Sequence, residues 1–265
     1  MGAGGFDYSA IPVGFYDSVL RGGNPVRRLW HLAKFERVLD CLETGADRAI
    51  LDIGCFAGSF LSIIGPDRFG RQLGVDILRG QIDYARAHYG TEFRRFRHLE
   101  SLADLESMGD SFDCITAIEV IEHLDAEDAD VLLRQAARLL RPGGQLVLTT
   151  PNYASTWPLL EVILDRFSDV KYQEQHVTKF SYFSIERKLR QLHPPFLDEF
   201  EVRLKTTSHF LTPFLAAISF RLAHALSRLV PHRYWRHPFG NLLLLVAKRR
   251  GEAGGTDALA PRDTA

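Results

Sequence analysis

Five short apolar runs punctuate the first 150 residues, and between them apolar positions recur at helical spacing. The runs at residues 49–53, 72–76, 93–98, 114–118 and 145–150 have the length and composition of strands. The clearest helix between them covers residues 125–140. Asp125 can cap it, Glu127 and Asp128 suit the positive end of its dipole, and Arg138 and Arg141 suit the negative end. Pro142-Gly143-Gly144 then stops it. Such alternation predicts an α/β fold: a parallel sheet with right-handed crossovers that binds its ligand at the C-terminal ends of the strands. Asp52, Asp76 and Glu119 fall at those ends.

Past residue 150 the alternation loosens. Residues 151–180 are long, aromatic and irregular, the character of a cover over a binding site, with Tyr153, Trp157, Phe167, Tyr172 and Phe180 as candidate pocket walls. Tyr8, Phe15 and Tyr16 are candidates to close the same pocket from the other terminus. A helix at 184–192 and strands at 200–206 and 242–248 follow. Between those strands, Leu211, Phe214, Leu215, Ile218, Leu222, Leu226 and Leu229 keep helical spacing, with Arg221, His224 and Arg228 opposite. The apolar stripe is expected to pack on the domain, and the basic face of residues 210–230 permits peripheral membrane contact. The chain therefore divides into a helical cap (1–45), one main domain (46–250) with a cover (151–180) and a helical insertion (208–232), and a disordered tail (251–265) rich in Gly, Ala, Asp and Thr.

Charge narrows the partners. Thirty-two basic and thirty-three acidic residues leave a net charge of −1, so broad attraction to nucleic acid is not indicated, although local patches remain open. No run approaches the roughly 20 apolar residues that span a bilayer, and no secretory leader is evident, so a cytoplasmic protein is expected. Cys41, Cys55 and Cys114 lack metal-ligand spacing and suit a reducing compartment.

The chemistry concentrates at residues 50–60, Ile-Leu-Asp-Ile-Gly-Cys-Phe-Ala-Gly-Ser-Phe, where an apolar strand ends in a carboxylate and a glycine turn. Gly54 and Gly58 allow close approach to a ligand. Phe56 stands where a dinucleotide fingerprint needs its second glycine, which excludes the pyrophosphate pattern; a nicotinamide oxidoreductase, which would share the sheet and Asp76, stays a rival class that lacks this glycine triplet. The ligand indicated by Asp52 is cationic.

Four blocks in order, Leu51-Asp52-Ile53-Gly54-Cys55, Gly74-Val75-Asp76, Phe112-Asp113 leading to Glu119, and Leu140-Arg141-Pro142-Gly143-Gly144, resemble a class I S-adenosylmethionine-dependent methyltransferase over residues 24–200. The resemblance implies a Rossmann-like sheet of seven strands, five parallel and then an antiparallel pair, with helices on both faces. It also implies that the turn after the first strand holds the methionine part of the cofactor, with Asp52 and Gly54 near the amino group and with Cys55, Phe56, Gly58 and Ile118 in the same site. Asp76 would accept both ribose hydroxyls, and adenine would lie between Ile77 and Leu99-Glu100-Ser101. Glu119-Val120-Ile121-Glu122-His123-Leu124 and Asn24-Pro25-Val26-Arg27 resemble the ubiquinone-pathway O-methyltransferases, in which the arginine contacts the cofactor. Arg27 is preferred over Arg28 for that role.

The resemblance implies methyl transfer, preferably to oxygen; the aromatic cover suggests a small apolar or aromatic acceptor, and the basic face of the inserted helix allows a lipidic one. Candidate catalytic residues are His123, Glu119 and His176. An imidazole at position 123 can take the proton of a hydroxyl, or it can order the loop; Glu119 is expected to face the cofactor or shape the pocket. A third reading gathers Glu119, Glu122, His123 and His176 around Mg²⁺ or Mn²⁺, a pattern similar to metal-using small-RNA 2′-O-methyltransferases. A non-catalytic binding module remains a further alternative, because Phe56 departs from the commonest turn.

Overall fold

The computed structural model describes residues 11–22, 24–160, 176–210, 212–229 and 237–251. Tyr8, Phe167, Tyr172 and the tail beyond Gly251 lie outside them. Two helices open the chain, α1 (Phe15–Arg21) and α2 (Pro25–Cys41). The start of α2 is local chemistry: the Asn24 side chain accepts from the N–H groups of Val26 at 2.9 Å and Arg27 at 3.4 Å. Pro25 occupies the first turn, where its missing N–H costs nothing. Strands β1 (Gly45–Ile53), β2 (Phe69–Asp76), β3 (Arg94–His98), β4 (Phe112–Ile118) and β5 (Leu140–Pro151) follow, with α3 (Ser59–Ser62), α4 (Arg79–Tyr89) and α5 (Ala126–Leu139) among them. Then come α6 (Ile185–Leu192), α7 (Phe196–Glu199), β6 (Phe200–Ser208), α8 (Thr212–Ile218), α9 (Phe220–Leu229) and β7 (Leu242–Arg249).

The seven strands form one sheet in the order β3-β2-β1-β4-β5-β7-β6. The first five are parallel, whereas β7 runs antiparallel to both β5 and β6. Successive side chains of the central strands point to opposite faces, and both faces are apolar. Leu51, Ile53, Ile115 and Leu146 join Leu132, Leu133 and Ala136 of α5 on one side; Ile50, Cys114 and Val147 join Phe35 and Val38 of α2 on the other. Each such large side chain contributes about 1.5–3 kcal/mol by leaving water. The strand order reverses at β1, so a crevice opens at the C-terminal ends of β1 and β4.

The N-terminal helices are fastened to this core. Buried Asp17 accepts from the hydroxyls of Tyr89 at 2.6 Å, Tyr84 at 3.1 Å and Ser59 at 3.1 Å, and pairs with Arg21 at 3.0 Å. Asp125 caps α5 through the Asp128 N–H at 2.9 Å, as its sequence predicts. The helix ends at Leu139, however, before Pro142-Gly143-Gly144, which lie in the opening residues of β5 with Gly143 at φ 76°. The insertion also differs from the single packed helix expected. It is two helices that meet at Ser219, and its buried face is Ala216 and Ala223 against Leu29 of α2. Alanines allow helices to approach closely, and the His224 imidazole, expected on the outer face, turns inward to Glu36 at 3.0 Å. Ile218, Leu222 and Leu226 are consequently exposed.

Candidate active site

At the end of β1 the chain reverses through residues 54–58. Gly54 sits at φ 73°, and a Cβ there would lie 2.5 Å from Cγ2 of Val120, so only glycine lets the turn pass under the loop after β4. Phe56 holds a left-handed φ of 48° despite its side chain, a conformation that costs about 1–2 kcal/mol. Its N–H donates to Oδ2 of Asp76 at 2.8 Å, and its ring meets Tyr16 of α1 with centroids 5.1 Å apart. The other Asp76 oxygen accepts from the Leu78 N–H at 2.8 Å. Each oxygen keeps a lone pair for a further donor, which suits a vicinal diol.

Asp52 is buried and accepts the Thr116 hydroxyl at 2.6 Å. Burial and the neighbouring charge of Asp76 push its pKa up to about 7, against the opposing effects of Thr116 and Lys34. Burial raises Asp76 as well, against the backbone hydrogen bonds of Leu78 and Phe56. Two crowded carboxylates at a strand end favour a cationic ligand. Of the other residues considered for the cofactor, Ile118 is half-buried, Ile77 is exposed, and Arg27 is half-buried in the first turn of α2. Arg28 is committed elsewhere, to the Leu20 carbonyl at 3.3 Å and the Phe220 ring at 4.8 Å. The Cys55 side chain packs in the core, which leaves only its backbone for a ligand. Glu100 is exposed, with its carboxylate 3.1 Å from Arg79 and 3.4 Å from His98.

The residues after β4 divide two glutamates between two tasks. Glu119 adopts φ 54°, and its N–H is held by the carbonyl of Thr149 at 3.0 Å and the hydroxyl of Thr149 at 3.1 Å. Its carboxylate forms an ion pair with Lys34 of α2 and accepts Nε1–H of Trp30 at 3.3 Å. Burial acts to raise its pKa, but Lys34, His31 and Trp30 outweigh that and hold it at about 2. Glu122 lies in the following 3-10 turn (Ile121–His123), wholly buried, with neither carboxylate oxygen hydrogen-bonded among the described residues. Burial, reinforced by the charge of Glu119, lifts its pKa well above the carboxylate range; Thr150 adjoins and opposes the rise without reaching hydrogen-bond geometry. Ligand atoms of Glu122, His123 and His176 lie within 4.8 Å of one another. His176 is set by the Tyr153 hydroxyl, 2.7 Å from its Nδ1, and its ring is 5.1 Å from that of His123 and 6.3 Å from that of Trp157. The Trp157 ring is in turn 5.2 Å from Trp30, and its buried Nε1–H has no acceptor among the described residues.

The structure thus brings together three of the four groups considered for a metal and gives Glu119 to Lys34, because the left-handed backbone at 119 turns that side chain toward α2. Tyr153 and Trp157 flank the cluster, whereas Phe180 is a core residue. Lys34, Trp30 and Thr150 escape sequence reading. The available signal for Lys34 is a charge set among the apolar positions Leu29, Ala33, Phe35 and Val38 of one helix.

Residues 27–193 match the profile of a methyltransferase-domain family. The chain belongs to that family. This methyltransferase is 34% identical over 116 residues to methyltransferase GfsG of Streptomyces halstedii, covering 43% of this chain and 41% of that protein. It is 32% identical over 146 residues to a ubiquinone biosynthesis O-methyltransferase of Azorhizobium caulinodans, covering 54% of this chain and 51% of that one. The match thus spans about half the length of such relatives. In fold it is similar to the N-methyltransferase NodS of Bradyrhizobium japonicum WM9 in complex with S-adenosyl-L-homocysteine, with a TM-score of 0.53 at 16% identity, covering 88% of this chain and 97% of that one. By family and fold it carries a Rossmann-like methyltransferase domain.

Proposed function

We propose that this methyltransferase methylates a hydroxyl of a small apolar or aromatic acceptor. The observation that carries the proposal is the buried Glu122 carboxyl, without a hydrogen bond among the described residues, converging with His123 and His176 under Trp30 and Trp157. Relatives named for O-methylation in ubiquinone biosynthesis support a quinol-like acceptor.

S-adenosylmethionine supplies an electrophilic methyl group on a sulfonium. The residues present fit it. Asp76 has an acceptor site left on each oxygen for the ribose hydroxyls, Asp52 and the Gly54 turn meet the amino group, and Arg27 meets the carboxylate. Aromatic walls exclude water and hold the acceptor in line, an effect of about 7–11 kcal/mol in well-oriented systems. His123 Nε2 takes the hydroxyl proton, worth about 10²–10⁴-fold. Glu122, 4.0 Å away, stabilises the resulting imidazolium when it ionises. Cys41, Cys55 and Cys114, all reduced, support a cytoplasmic setting.

A second reading rests on the same cluster. Glu122, His123 and His176 offer the carboxylate and imidazole donors that Mg²⁺ or Mn²⁺ accepts, and a bound cation would lower the pKa of an acceptor hydroxyl. The deciding experiment follows methyl transfer from labelled S-adenosylmethionine to catechols, quinols and other hydroxylated acceptors, with chelator and then with each cation restored. Transfer that is indifferent to chelator and lost in His123→Ala supports the base; transfer abolished by chelator and restored by cation supports the metal. Cofactor binding by calorimetry with no transfer to any hydroxyl would sink the acceptor proposal.

A further inference from the structure

We propose that α8 and α9 dock this protein on an anionic lipid bilayer, with the ridge Ile218, Leu222 and Leu226 entering the headgroup boundary and Arg221 and Arg228 engaging lipid phosphates. This goes beyond the acceptor reading and does not rest on it.

The insertion turns several of its large apolar side chains to solvent. Ile218, the last residue of α8, is 85% exposed, and Leu222 and Leu226, one turn apart on one side of α9, are 53% and 37% exposed. Phe210 and Phe239, both exposed, pair beside the insertion with ring centroids 6.4 Å apart. The opposite face is already used, since Ala216 and Ala223 pack on Leu29 and His224 is bound to Glu36. Large side chains left outside, beyond an interface that Ala216, Ala223, Leu215 and Phe220 already fill, mark a surface for an apolar partner.

Charge selects the partner. Arg221 and Arg228 are exposed on α9, together on one side of the helix and about a third of a turn round from Leu222 and Leu226. From Val202 to Gly251 the sequence holds no Asp or Glu, in a chain whose net charge is −1. The acidic residues lie outside this segment of sequence; Glu36 of α2 reaches it, but against His224 on the inner side, and the exposed charges of α9 itself are cationic. Exposed apolar side chains and exposed arginines on one helix, with no acidic residue nearby in sequence, match an anionic bilayer interface, where hydrophobic insertion and headgroup attraction act together. No helix among the described residues is long and apolar enough to cross a membrane, so the contact is with the surface.

The test is co-sedimentation of the full chain with phosphatidylcholine vesicles, with and without phosphatidylglycerol. Binding is expected only with the anionic lipid, and it should weaken with salt. Arg221→Gln with Arg228→Gln should lower the partition coefficient about 25-fold, from roughly fivefold per arginine. Ile218→Ser with Leu222→Ser and Leu226→Ser should lower it at least about tenfold. All five side chains project from an exposed face, so melting temperature and S-adenosylmethionine affinity should stay at wild-type values. Equal binding to both vesicle types, or wild-type binding by the serine variant, would overturn the proposal. So would self-association of the wild type that the serine substitutions abolish, which would make the ridge a face between two copies.

Discussion

The Asp52→Asn substitution tests whether this carboxylate is the cation receptor of the cofactor site. In the ligand-free protein its pKa stands at about 7, raised first by burial and then by Asp76. Only the ionised form attracts the ammonium, so the apparent affinity scales with the ionised fraction. That fraction is about 0.97 at pH 8.5 and about 0.03 at pH 5.5, which makes S-adenosylmethionine binding about 30-fold, or about 2 kcal/mol, weaker at the lower pH. The amide of the variant cannot ionise. Its affinity at about pH 8.5 should fall by 10- to 150-fold, the worth of a charge-assisted hydrogen bond of about 1.5–3 kcal/mol, and near pH 5.5 the two proteins should converge. Asp76 is raised too and adds a slope of the same sign, but it is present in both proteins, so the difference between them isolates position 52. Stability should move oppositely. A folded pKa above the unfolded value of 3.8 means that the native state holds the proton longer, so stability falls as pH rises from about 4 to about 7, by at most about 4 kcal/mol. The Asp52→Asn variant should therefore melt higher than wild type at about pH 8 and equal to it near pH 4. Titration calorimetry across this range decides the matter: a flat wild-type profile, or a variant with the wild-type slope, refutes the reasoning.

Lys34→Met leaves Glu119 in place without its cation and should cost about 3 kcal/mol at neutral pH, near the low end for a broken buried pair because Glu119 keeps some exposure. Glu119 is held at about 2, so the pair's stabilisation is present above the unfolded value near 4.5 and is lost as pH falls through about 2; thermal melts of Lys34→Met alone and with Glu119→Gln should show the second change restoring most of the loss. Gly54→Ala places a Cβ 2.5 Å from Val120 at φ 73° and should lose at least about 2 kcal/mol, with cofactor binding reduced in step, both read from melts with and without S-adenosylmethionine. Asp17→Ala removes the acceptor shared by Tyr84, Tyr89 and Ser59 and should cost about 2–3 kcal/mol, with faster protease cleavage at α1 than within the sheet.

Most of the fold was legible because its signals are local. Buried parallel strands are continuous apolar runs, and Asp125 marks a helix start within three residues of the bond it makes. The seven strands appear where the pattern puts them, with ends extended where backbone pairing outlasts the apolar run, as at Gly45 and Ser208. The site was legible only in part. Which of Glu119 and Glu122 faces the pocket depends on a positive φ at a glutamate, which no residue preference announces. Its partner Lys34 comes from another helix 85 residues away. The insertion misled for a related reason: leucine spacing identifies an amphipathic helix but not which face meets the protein. Ala216, Ala223 and the His224–Glu36 pair settle that.

The sheet order also sets a sequence of events during synthesis. β7, the last of the described strands along the chain, lies between β5 and β6. The five parallel strands and both N-terminal helices are complete once residue 151 has been made. Strand β6, however, has only β7 as a partner among the described strands and must wait more than thirty residues for it. In that interval two strand edges, that of β5 and that of β6, are open to pairing with other chains. The segment translated while they stand open includes α8 and α9, so the apolar ridge of the finished protein emerges when the nascent chain is most exposed to misassembly. Closure by β7 converts both edges at once into the interior of a continuous sheet.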